Sequence, residues 1–191
     1  SCKERSVEII QPFLPLLAKL LHSSDNLTRK VSQSLRTISV YVGYADNTQP
    51  DIIEEAVNFA VKELQDEDTE YILDGLYAAG RIAKALVPIE GNEEQNAHYA
   101  ETLHNFFSII LKNATESQEI DIVNESLKNL KPIFKRGVMF DSEAFVQESI
   151  EFITSLLNGN IMLLGGTPAK ESEIIGQIVE SSMEFIGKVF H

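Results

Sequence analysis

Pro12-Phe-Leu-Pro-Leu-Leu-Ala-Lys-Leu-Leu21, followed by Asp25-Asn-Leu-Thr-Arg-Lys-Val-Ser-Gln-Ser-Leu-Arg-Thr-Ile38, decides the fold class. The two stretches read as amphipathic helices, and the turn between them is too short for anything but an antiparallel hairpin. The pattern recurs three more times along the 191 residues, giving hairpins at about 12–43, 49–87, 93–136 and 142–190. A chain that repeats one helical hairpin is an α-solenoid, and a solenoid is a surface for binding.

Working outward, end signals place the individual helices. Asp25 is the expected N-cap of a helix over 26–42, with Gly43 just past its end. Thr48 with Asp51 resembles a capping box opening 49–65, Asp68 is expected to cap 69–87, and Pro88 marks that helix's end. Asn92 with Gln95 opens 93–114, and Ser117 opens 118–136, which stops at Gly137. A seventh helix follows Asp141 and ends near Asn158-Gly159; an eighth follows Thr167-Pro168 and runs nearly to His191. The opening Ser1-Cys-Lys-Glu-Arg5, without an initiator Met, is expected of a segment of a longer array. Residues 3–11 are then the remainder of a preceding element, set off by Pro12.

The second helices share one apolar stripe. Val31, Leu35, Ile38 and Val42 correspond to Gly75, Ala79, Ile82 and Leu86, then to Val123, Leu127, Leu130 and Phe134, then to Ile175, Val179, Ser182 and Ile186. Successive copies are offset by 44 residues (31 to 75), 48 (75 to 123) and 52 (123 to 175), so the helices are constant while the loops grow.

Here the chain resembles HEAT repeats. That unit is a Leu-rich first helix opened or kinked by proline, a tight turn with Asp, and a second helix that begins with a β-branched residue and Arg and continues with small residues. Pro12, Pro15, Asp25, Thr28-Arg29, Val31, Ser32, Ser34 and Leu35 match it. The match covers one repeat residue by residue and three by phase. Among HEAT proteins, the unequal repeats, lengthening loops and acidic balance are most similar to an importin-β-type nuclear transport receptor (karyopherin). The resemblance implies an all-α, right-handed α-α superhelix of about four HEAT-type hairpins, a protein of cytoplasm and nucleus. It also implies a mechanism without catalysis: the inner helices wrap a basic localisation signal or a small GTPase, and flexing between repeats couples the two. The alternative is a HEAT scaffold or adaptor subunit of phosphatase or coat-adaptor type that docks folded partners. A monomer is expected.

Charge bears on partners without reference to a family. Twenty-nine acidic side chains against 16 basic ones give a formal charge of -13, which repels a phosphate backbone, so nucleic acid is not an expected partner. The longest apolar runs are interrupted by charge or proline, so membrane insertion is not expected either. The one cysteine, Cys2, forms no internal disulfide, and a reducing compartment is the default.

Catalytic chemistry finds no footing. His22, His98, His104 and His191 lack metal-ligand spacing, and no His, Cys or carboxylate constellation converges, so neither an enzyme nor a cofactor is expected. Leu164-Gly-Gly-Thr-Pro-Ala-Lys170 lacks the Gly-Lys-Ser/Thr ending of a phosphate loop and reads as a helix start. Ile161-Met-Leu-Leu164 is an apolar loop expected to pack internally.

Two surfaces remain as candidates for a protein or peptide partner. Between Asp46 and Asp74 the acids outnumber the single basic Lys62; Asp51, Glu54, Glu55, Asp66, Glu67 and Asp68 form the candidate acidic patch. Asp51, Glu54, Glu55 and Asn58 share one helix face, opposite Ile53, Ala56, Val57, Ala60 and Leu64. A solvated face with dipole-favoured acids accounts for this pattern, and so does attraction of a basic peptide. The second candidate is an inner face where stacked second helices line up Gln33, Tyr77, Glu125 and Gln177 and, one turn along, Thr37, Arg81, Asn129 and Ser181. Any solvated helix face is polar, and rows of polar groups also hold extended peptides.

Overall fold

The structure, a computed structural model, describes residues 2–22, 28–45 and 50–140, together with Phe145, Gln147, Glu148, Ile150 and Glu151. Among them there are seven α-helices and no strand. These are α1 (Cys2–Ile10), α2 (Leu14–His22), α3 (Arg29–Tyr44), α4 (Pro50–Leu64), α5 (Thr69–Ile82), α6 (Glu93–Glu116) and α7 (Ile120–Gly137). A 3-10 turn, Gln11–Phe13, joins α1 to α2. Pro12 removes a backbone donor there, which sets the preceding element apart as the sequence predicts. None of these helices is long and apolar enough to cross a membrane. The helices expected beyond Asp141, with Gln177, Ser181 and Ile161-Met-Leu-Leu164, lie outside the described residues apart from the isolated positions named.

The chain divides into two compact units at Val87/Pro88. In the first, α2 packs on α3 and α4 on α5, while α3 also packs on α5 and α2 on α4. First helices therefore lie on first helices and second on second, in two layers, and α1 packs on α3. The expected stripes form the core: Val31, Leu35, Ile38 and Val42 of α3 are buried, as are Ala79, Ile82 and Leu86 on the α5 side. On α4 the buried apolar set is Ile53, Ala56, Phe59, Ala60 and Leu64, with Glu63 buried among them; Val57, expected inward, is half-buried, and Phe59 takes the place instead.

Gly75 does more than occupy a stripe position. A Cβ there would lie 2.8 Å from the Leu64 nitrogen and 2.9 Å from Glu63 Cβ, so the missing side chain lets α5 close directly onto the last turn of α4. In the second unit α6 packs on α7, burying Leu103, Phe106, Phe107 and Ile110 against Val123, Leu127, Leu130 and Phe134. Phe145 seats edge-on against Phe107 (5.5 Å between ring centres) and covers Gly137.

Several ends differ from expectation. Thr28, not Asp25, caps α3: its Oγ1 accepts from the Val31 amide at 3.3 Å, and Gly43 falls inside the helix rather than past it. At α5 the end comes at Ile82, well before Pro88, because Lys84 and Ala85 turn to three-residue bonds with Arg81 and Ile82 and tuck Ala83 and Leu86 into the core. Ser117 spends its hydroxyl on the Glu119 amide, delaying the start of α7 to Ile120, and α7 then runs through Pro132. Asp68 and Asn92 cap as predicted, through the Glu70 and Gln95 amides. Thr48 lies outside the described residues.

Candidate functional site

The acidic segment does not form one patch. Pro50 and Asp51 start α4, and the helix carries the next acids along one face, so Asp51, Glu54, Glu55 and Asn58 line a cleft of about 570 Å³ with Ala18 and Lys19 of α2. Asp51, Glu54 and Asn58 are exposed and Glu55 is half-buried. Lys19 is the one cation in this wall, so the cleft keeps a net negative charge.

Asp66, Glu67 and Asp68 lie past the far end of α4, roughly 20 Å away at the rise of an α-helix. Two of them are committed to the turn. Asp66 Oδ1 accepts from the Asp68 amide (2.9 Å), and Asp68 Oδ1 accepts from the Glu70 amide (2.8 Å). Glu67 remains exposed.

Two more acids of the segment turn inward. Asp74 is 16% exposed and accepts from the Ser32 hydroxyl (2.8 Å) and from Arg36 (3.2 Å), with Arg29 at 3.8 Å; Arg29 also pairs with Glu70. Glu63 is fully buried, and neither of its carboxyl oxygens has a hydrogen-bond partner. Burial pushes its carboxyl up to about 7; the Ser32 hydroxyl, near enough to interact though outside full hydrogen-bonding geometry, and the Arg29 charge oppose, while the charges of Asp74 and Asp66 add. Sequence carried a signal for this: Glu63 follows Ala56 and Ala60 at helical spacing, on the buried stripe.

The expected inner-face row is only partly assembled. The phase alignment pairs Gln33 with Tyr77 and Thr37 with Arg81 at 44 residues, but the polar contacts between α3 and α5 fall mostly at separations of 37 to 42, with Arg29 to Asp74 at 45. Arg36, not Gln33, therefore meets Tyr77, its guanidinium 4.6 Å from the ring centre. Arg81 lies between Tyr77 (5.0 Å) and Tyr44 (5.1 Å) and donates to the Tyr44 hydroxyl. Gln33 is exposed, and Thr37 bonds back to the Gln33 carbonyl within its own helix. In the second unit, Asn129 donates to the Glu125 carbonyl and side chain, and Lys128 pairs with Glu125, so these row members bond to each other on α7. His104, weighed for metal binding, contacts Glu148 at 2.8 Å and meets the Phe145 ring edge-on.

Compared with known proteins, the chain matches no family model, no curated protein and no solved structure. The helical, two-layer packing stands on the structure alone, and the likeness to HEAT repeats on the sequence of the first hairpin.

Proposed function

We propose that this chain is a non-catalytic protein-binding segment of HEAT-type helical repeats, and that the α2/α4 cleft takes a basic peptide. The observation that carries the reading is the cleft itself, three carboxylates on one helix face opposing a single lysine. A cationic segment laid along it gains from each exposed pair about 0.2–1 kcal/mol, and the summed field raises its association rate. Leu16 of α2, exposed and apolar, adds to the contact surface of the same helical layer. The like-on-like layering in the first unit supports a repeat architecture, and the right-handed superhelix is the form that the HEAT resemblance implies. An importin-β-type transport receptor, shuttling between cytoplasm and nucleus and binding localisation signals or a small GTPase, is the finer form of this proposal. It is supported by the first-hairpin residues and the acidic surplus.

The test compares two triple variants that each lose three charges. Asp51→Asn/Glu54→Gln/Glu55→Gln strips the cleft; Asp66→Asn/Glu67→Gln/Asp68→Asn strips the far turn while leaving amide side chains able to cap. Titration calorimetry with a lysine-rich peptide at low salt should show the first weakened about tenfold, close to 1.4 kcal/mol, and the second changed by less than about threefold. Binding should fade as ionic strength passes about 0.15 M. Equal losses in both variants would reduce the cleft to general charge, and no loss in either would end the proposal. Tight binding of an acidic peptide in place of the basic one would count against the transport-receptor form.

A further inference from the structure

Glu63 sits where three helices meet, and the hydrogen-bonding arithmetic around it is short by one donor. Ser32 of α3 has a single hydroxyl proton and gives it to Asp74 Oδ2 at 2.8 Å. Arg36 is engaged with Asp74 and Arg29 with both Asp74 and Glu70. An ionised Glu63 only accepts, and both its oxygens are buried without a partner. A neutral Glu63 carries the missing proton itself, and the free lone pair of Ser32 Oγ is the neighbouring acceptor.

The surroundings leave no easy escape. Gly75 brings the α5 backbone directly against Glu63 Cβ, so the side chain has no room to swing outward on that side. The charged groups facing the carboxyl are Arg29 from α3, Asp74 from α5 and Asp66 from the turn after α4. The remaining helix packed on α4 is α2, and its Lys19 lies at the opposite end, with Asp51, Glu54 and Glu55.

We propose that Glu63 is a proton-operated latch: as a neutral acid it donates to Ser32 Oγ and extends the Ser32 to Asp74 bond into a chain linking α4, α3 and α5. On losing the proton it becomes a second buried anion beside Asp74, and α4 loosens from the other two helices. This goes beyond the peptide-binding proposal and stands without it.

The direction with pH follows from linkage. The folded-state carboxyl, raised by burial to about 7 from 4.5, holds its proton where the unfolded chain has lost it. Its contribution is therefore complete below about pH 4.5 and is lost as pH rises through about 7. Urea melts of the whole chain should show the folding constant of wild type falling, relative to Glu63→Gln, on the order of 100-fold between pH 5 and pH 8. Gln keeps a donor and carries no charge, so its profile retains only the contributions of the other groups. Carbon-13 NMR of the wild-type Glu63 carboxyl, assigned through the backbone, should titrate with a midpoint near 7 and remains readable even if the variant does not fold. Parallel pH profiles in the two proteins, or a midpoint near 4.5, would overturn the latch.

Discussion

Gly75→Ala sets two known effects against each other, and the structure decides which wins. In an exposed helix interior the change is favourable by about 1 kcal/mol, because alanine restricts the unfolded chain and suits the helix. Here the new methyl would lie 2.8 Å from the Leu64 nitrogen, 2.9 Å from Glu63 Cβ and 3.1 Å from the Glu63 carbonyl carbon. Two of those three atoms are α4 backbone, which no rotamer change moves aside. The methyl needs roughly 3.5 Å or more, so α5 must retreat from α4 by about half an ångström or more. Overpacking of this kind costs about 1–3 kcal/mol, and the retreat also thins contacts among Ala60, Leu64, Leu76 and Ala79. The net expectation is a loss of about 1–2 kcal/mol, read as a lower urea midpoint with an unchanged slope. A gain of about 0.5 kcal/mol or more would refute the close approach of α5 to α4, and the confined setting of Glu63 with it.

The core stripe should be sensitive where the polar row is not. Leu35→Ala, at a fully buried position, is expected to cost about 3–5 kcal/mol and Leu127→Ala, 9% exposed, nearer 2 kcal/mol; Gln33→Ala and Asn129→Ala should stay within about 0.5 kcal/mol. Denaturant melts in which the polar pair proved costlier would reverse the facing of α3 and α7. At the α4/α5 turn, Asp68→Ala should cost about 1 kcal/mol by removing the cap on the Glu70 amide while Asp68→Asn costs a few tenths, a difference visible in thermal melts.

Periodicity made the helices and their buried sides legible, since the stripe through Val31, Leu35, Ile38 and Val42 needs only the geometry of one helix. Caps were legible where a capping side chain directly precedes the helical run, as at Asp68 and Asn92. They were not legible before α3, where Asp25 and Thr28 both have capping side chains and only the Thr28 bond to Val31 distinguishes the start. The pairing of Arg36 with Tyr77 depends on how far α3 is displaced along α5, and that displacement is a property of two helices. Aligning the repeats by phase superimposes equivalent residues, whereas packing brings together residues about a turn apart. Glu63 was readable from its place on the α4 stripe, but a charge count treats every carboxylate of the segment as solvated.

That distinction bears on which layer receives a basic partner. The arginines of the α3/α5 seam neutralise the acids nearest them: Asp74 is held by Arg36 and Arg29, and Glu70 by Arg29. Beyond these pairs the seam shows Arg81 stacked between two tyrosines, with Lys84 5.9 Å from the Tyr44 ring. Its character is cationic and aromatic. On the α2/α4 side the balance is reversed, with Asp51, Glu54, Glu55 and Lys19 lining the cleft. The α2/α4 side therefore offers a cation more negative charge than the layer of second helices with Tyr77 and Arg81. If the first unit binds such a peptide, it does so through its first helices, and the six acids of the segment act unequally. Three of them line the cleft, two fold the turn between α4 and α5, and Glu67 is exposed beside that turn.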